Sequence, residues 1–201
     1  MQWQKSLGTK ENDGGFDIQS TSDGGYILAG YIDIPKYNDH THAGTEFYIV
    51  KMSTLGDTVW QITLGGSDSE IPYSIQQTSD GGYIIGGMTS SNNLDVSGNH
   101  GGQGQDYWIV KISSSGSLQW QKCLGGTGLD VAYSVSQANG GGYFVVGNSY
   151  SNDGDVSGNH GGQDGWIVRL NSSGGIIWQK CIGGSGWEDM QSVCATSDGG
   201  C

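Results

Sequence analysis

Basic residues are scarce in this sequence. Eight Lys and Arg stand against 20 Asp and Glu, a formal charge of −12, and Arg169 is the single arginine. Such a chain repels nucleic acid and anionic membrane, and offers carboxylates to cations. Long apolar runs are also missing. Hydrophobic residues make up 34% of 201, no stretch approaches a membrane span, and Met1 opens directly onto a polar strand without a signal-like segment. No stretch of useful length has a helical period. Cys123, Cys181, Cys194 and Cys201 form no C-x-x-C pair, which leaves zinc unsupported. There is no G-x-S-x-G elbow, no H-E-x-x-H and no P-loop, so the common catalytic signatures are absent too.

Glycine is what the chain has in excess: 38 residues, placed at regular intervals between short runs of Tyr, Ile, Val and Trp. The regularity is a repeat. Trp3, Trp60, Trp120 and Trp178 open "WQKSLG", "WQITLGG", "WQKCLGG" and "WQKCIGG", at intervals of 57, 60 and 58 residues. Twenty residues after each comes a turn, at Asp23, Asp80, Gly140 and Asp198; twelve residues before the last three come "YIVK", "WIVK" and "WIVR".

Each unit reads as four strands. The first alternates, as in "YSIQQTS", with Tyr73 and Ile75 facing one way and Ser74 and Gln76 the other. A D-G-G turn reverses the chain. The second strand ("YIIGG", "YFVVG") is continuously apolar, and a long polar loop leads to a third ("DYWIVKIS") and a fourth ("LQWQKCL"). The expected fold is all-β and β-propeller-like, with four-stranded antiparallel blades of about 58 residues. Residues 1–201 then form one domain, with repeats at about 9–65, 66–125 and 126–183 and end strands at 1–8 and 184–201. A sandwich of hairpins has no reason to keep a constant Trp-to-turn offset. The junction holds a fourth strand and a first strand without the two between, so the chain is expected to be a fragment of a longer protein or a protomer completed by neighbours.

"WIVKISSSGSLQWQK" and "WIVRLNSSGGIIWQK" resemble the strand–turn–Trp signature of quinoprotein-like propeller blades. The whole unit is also similar to repeats of large secreted or cell-surface proteins of bacteria and archaea. The resemblance implies a propeller and an extracellular or cell-surface location; it brings no cofactor-binding motif with it. A sialidase-like propeller would need several arginines.

The second-to-third and fourth-to-first connections share one end of such a blade, the end where a propeller usually binds. Its acidic residues are Asp68, Glu70, Asp130, Glu188 and Asp189, with Asp95, Asp106, Asp153, Asp155 and Asp164 in or flanking the longer loops. In "DGDVSGNHGGQD", Asp153, Asp155 and Ser157 stand at places one, three and five, Asn159 at seven and Asp164 at twelve. That spacing outlines a calcium loop, in which alternate positions supply oxygens. The preceding repeat offers Asn93, Asp95 and Ser97. Serine replaces a third carboxylate and no Glu closes the loop, so an Asx- and Gly-rich turn held by its own hydrogen bonds is the alternative.

His100 and His160 occupy one repeat position, a blade spacing apart, and are expected to bond to backbone; His40 and His42 could share a strand face. Trp60, Trp120, Trp178, Trp108 and Trp166 are expected to pack between blades. Trp187 has no aromatic counterpart and lies beside Glu188 and Asp189, an arrangement suited to stacking on a sugar. Cys123 and Cys181 are expected to be unpaired thiols at a tight packing site. The expected function is a non-catalytic extracellular binding or adhesion module, with calcium as cofactor and a glycan or protein as partner. The alternatives are an assembly element that self-associates through open blade edges, and a piece of a propeller enzyme whose active residues lie elsewhere.

Overall fold

The D-G-G turn shows how local chemistry starts each sheet. In the second repeat the Asp80 carboxylate accepts from the Gly82 N–H (3.0 Å) and the Thr78 hydroxyl, while Gly81 takes a φ of 81°. Only glycine adopts that conformation without a Cβ penalty. Lys111, two strands away and 2% exposed, lays its ammonium 3.0 Å from Asp80 and donates to the Ile112 carbonyl. Burial alone would raise the Asp80 pKa, but the Thr78, Lys111 and Gly82 hydrogen bonds outweigh it and hold the group at about 2. Asp23 and Lys51 repeat the pair. In the third repeat Gly140 replaces the aspartate and Arg169 the lysine; its guanidinium donates instead to the Gly141 carbonyl, 2.7 Å away. The two changes compensate, because without a carboxylate the cation needs carbonyl acceptors.

The computed structural model describes residues 3–34, 44–101 and 104–201; His40 and His42 lie outside them. Among these residues are twelve strands and no helix, and no helix is long and apolar enough to cross a membrane. The first sheet is β1 (Asp13–Ser20), β2 (Tyr26–Ile34), β3 (Gly44–Met52) and β4 (Thr58–Leu64). The second is β5 (Glu70–Gln77), β6 (Tyr83–Thr89), β7 (Asp106–Ile112) and β8 (Leu118–Leu124). The third is β9 (Asp130–Gln137), β10 (Tyr143–Ser149), β11 (Asp164–Leu170) and β12 (Ile176–Ile182). Each is an antiparallel meander in chain order. The three sheets are therefore blade-like, as expected.

They pack face to face. Phe47 of the first sheet meets Trp108 of the second (ring centroids 4.4 Å apart), and Tyr107 of the second meets Trp166 of the third (4.6 Å). Trp60 and Trp120 reach across to Tyr83 and Tyr143 of the following sheet, as Trp3 does to Tyr26. Trp178 departs from the expected packing: it is 43% exposed and its ring neighbour is Phe144 of its own sheet. Cys123 and Cys181 are buried free thiols beneath these rings.

The first strand of each sheet is an edge, and the alternation expected for it is broken. Pairing of β5 with β6 slips between Pro72 and Ser74, so Tyr73 is a bulge. Ile75 enters the core, while Tyr73 stacks between Phe16 and Tyr133, themselves at the slips in β1 and β9. Ser74, read as facing away from the core, is nonetheless buried. Its hydroxyl accepts from the Val135 N–H of the next first strand (3.3 Å), and Gln76 accepts from the Gln137 N–H (2.6 Å). Asp17 does the same for Ile75, and Ser134 and Ser136 for Val193 and Ala195. Side chains one repeat earlier thus accept from N–H groups on the outer side of β5 and β9 and of the segment at Val193 and Ala195.

Segments 3–8 and 184–201, expected as end strands, have no ladder; the latter makes one bridge, Gln163 to Trp187. A strand exists through its backbone partners, and beyond that bridge the links are side-chain ones: Trp3 on Tyr26, and the two serine hydroxyls on Val193 and Ala195.

Gly147 and Gly81 separate two roles of glycine. Opposite the β9 bulge, a Cβ on Gly147 would run into the Val131 carbonyl, whereas one on Gly81 meets nothing within 4 Å. Gly147→Ala is expected to cost about 2–4 kcal/mol in urea unfolding, and Gly81→Ala only the left-handed strain of about 1–2 kcal/mol. Equal losses at the two positions would refute the bulge account.

Candidate functional site

The long loops lie at one end of the sheets and are bolted to the fourth-to-first loops beside them. Asp155 N–H donates to the Gly125 carbonyl (2.8 Å), and Val156 is buried as a plug in the core between the second and third sheets. Asp153 accepts from both the N–H and the hydroxyl of Thr127 (2.8 Å each). Asn93 does the same work one repeat earlier, accepting from Ser67 N–H and donating to its hydroxyl. Asp95 accepts from Gly65 N–H at 3.3 Å. Ser157 accepts from Gln179 Nε2 (2.6 Å), whose Oε1 accepts from the Trp166 indole (2.7 Å); Ser97, Gln121 and Trp108 repeat this chain. Asn159 donates to the Ser149 carbonyl and accepts from Gly161 N–H. Asp164 accepts from the N–H and the ring of His160.

The residues at the calcium-loop positions therefore point to separate protein partners and do not converge on one point. Among the described residues, no three His, Cys, Asp or Glu side chains gather as a metal-binding group.

Several acids expected on the surface are inside. Glu70, Asp106, Asp130 and Asp164 have no exposed area. Glu70 accepts from Gly66 N–H (2.8 Å) and Thr89 hydroxyl (2.7 Å), and Asp130 from Gly126 N–H (2.9 Å) and Ser151 hydroxyl (2.7 Å). Burial raises the pKa of both, against those hydrogen bonds. Each closes the turn that follows the repeat's Gly-Gly pair, as Glu188 does at Gly184 N–H (2.9 Å). The histidines bond mainly to carboxylates rather than to backbone acceptors: His100 Nδ1 lies 2.6 Å from Asp106, and its Nε2 3.5 Å from Asp155 of the next repeat. Burial opposes the imidazolium, but Asp106 and then Asp155 and Asp130 outweigh it and raise its pKa. Glu70, Asp130 and Glu188 were legible as a constant offset, four residues after the second glycine of each pair; the burial of Glu70 and Asp130 was not.

Trp187 stands 80% exposed on this end. The backbone around it is pinned, because Glu188 N–H donates to the Gln163 carbonyl (2.8 Å) and Gln163 N–H to the Gly186 carbonyl (3.3 Å). Of its two flanking acids, Glu188 is committed to Gly184, while Asp189 accepts from the amides of Asn148 and Gln163. The three expected ligand residues thus separate into one free ring and two structural carboxylates.

If Asp153 is a loop clamp, Asp153→Asn, which copies Asn93, is expected to keep the melting temperature and Asp153→Ala to lower it, in calcium-free buffer. The Thr127 hydrogen bonds lower the Asp153 pKa, so its contribution is present above the unfolded carboxylate value and lost as pH falls through the folded one. The Ala deficit should therefore shrink in acid, below about pH 4; a deficit that persists there would show another cause. No protein-family model matches the chain, and no curated protein matches it.

Proposed function

We propose that this chain is a non-catalytic β-propeller-type binding module of the cell exterior, which recognises a glycan or protein through its long-loop end. The observation that carries the reading is Trp187, a large exposed aromatic on a backbone held by hydrogen bonds at both sides. An exposed, rigidly presented indole offers apolar area at low entropic cost, the usual quality of a binding anchor. The acids around it serve the fold, which favours recognition over acid–base chemistry. Propeller architecture is supported by the repeated meanders and by first strands that sit side by side.

Capture on glycan and protein arrays tests this. The wild-type chain should bind, and Trp187→Ala should weaken binding tenfold or more, equivalent to about 1.4 kcal/mol. Blank arrays with wild type, or equal binding by the variant, would overturn it. Calcium, as the loop spacing suggests, would stabilise the module from Asp153–Asp164; a thermal melt that is identical with millimolar calcium and with chelator would remove it from the reading.

A second reading, assembly through an open face, is favoured by one feature. Trp178 and Ile182 of β12 are exposed, at positions where earlier repeats cover the tryptophan with a tyrosine and bury Leu64 and Leu124. Light scattering that shows only monomer across the accessible concentration range would count against it.

A further inference from the structure

Between the second and third sheets, two carboxyl groups face each other over a glycine. Around the point where a Cβ on Gly125 would sit, Asp130 Oδ2 lies at 2.5 Å and Asp106 Oδ1 at 2.8 Å, and both residues are wholly buried. The oxygens differ in their surroundings. Asp130 Oδ2 already accepts two hydrogen bonds, from Gly126 N–H and the Ser151 hydroxyl. Asp106 Oδ2 accepts from the backbone and ring of His100, yet Asp106 Oδ1, like Asp130 Oδ1, has no hydrogen-bond partner. The arrangement recurs: over Gly183, Asp164 faces Glu188, and Asp164 Oδ1 is again without a partner. Over Gly65, Glu70 Oε2 meets only the side-chain carbons Cβ and Cγ of Glu46.

We propose that the Asp106–Asp130 pair is a single-proton site, with the proton on Asp106 Oδ1 directed at Asp130 Oδ2, and that it ties the second and third sheets together while the proton is present. Two buried carboxylates this close cannot both ionise cheaply, and a bare buried carboxylate oxygen is costly. One proton removes the repulsion and gives Asp106 Oδ1 a role as donor, while Asp130 Oδ1 stays without a partner. The proton leaves the negative charge on Asp130, where two donors already hold it. The glycine is part of the site, since any side chain at 125 would occupy the space the two groups share.

The groups facing the pair are His100 from the long loop, which itself meets Asp155, Tyr107 from β7, Cys123 from β8 and Cys181 from β12. Burial raises the thiols to about 12 and about 11, so neither ionises near neutrality, and Tyr107 is raised also. Burial and the neighbouring Asp130 raise Asp106, against its His100 bonds. A raised carboxyl contributes stability below its unfolded pKa and loses it as pH climbs through the folded value. His100, also raised, acts in the same direction, so the two must be resolved site by site.

The decisive variant is Asp106→Asn. Its amide oxygen keeps the His100 bonds, and its amide N–H copies the proposed proton. The wild-type melting temperature should fall as pH rises from about 5 to 8, and the variant should lose less and melt higher at the alkaline end. Carbon NMR of the wild-type chain should show the Asp106 carboxyl titrating above the ordinary carboxylate range, separately from the His100 ring. A variant that melts lower than wild type at alkaline pH, or an Asp106 carboxyl that titrates in the ordinary range, would overturn the proposal. So would a wild-type melt at alkaline pH that rises with calcium or sodium while the variant's does not, because the occupant would then be a cation.

Discussion

The first strand of every blade-like sheet is an edge, and its free N–H groups must be satisfied away from bulk water. Here one repeat serves the next. Asp17, Ser74, Gln76, Ser134 and Ser136 each accept from a backbone N–H about one repeat further along. That link sets how closely successive sheets approach, and so the depth to which Phe47 and Trp108, or Tyr107 and Trp166, interleave. Bulges at Phe16, Tyr73 and Tyr133 keep the strand available for it, turning one residue out of the alternation while the Asp17, Ser74 or Ser134 after it stays in place.

The same economy governs the acidic composition. A charge of −12 suggests a surface prepared for cations, yet Glu70, Asp106, Asp130 and Asp164 are internal. They close turns, hold histidines, or face one another over a glycine. The long loops are consequently stiff: Asp153 and Asn93 clamp a neighbouring loop, and Val156 and Val96 anchor from inside. The buried pairs give such a scaffold a dependence on pH that its surface does not disclose.

Residue order by itself determined the repeat, the four-strand unit, the D-G-G turns and the all-β class. Each follows from local chemistry, since a φ of 81° at Gly81 or the apolar run of β6 needs no distant partner to be favoured. The loop positions at 93–97 and 153–164 were visible as a pattern, but one set of Asp, Asn and Ser spacings serves a cation or a hydrogen-bonded clamp equally well. Tertiary structure alone decided between the partners these side chains actually meet: Thr127 and Gln179 lie outside the loop. It also decided that Ser74 and Tyr73 exchange their expected roles, because a bulge is set by pairing with β6 and by the room Gly87 leaves for it. Burial of Asp106 against Asp130 could not be read either; it arises only where two repeats meet, and charge in a sequence carries no record of what will stand opposite it.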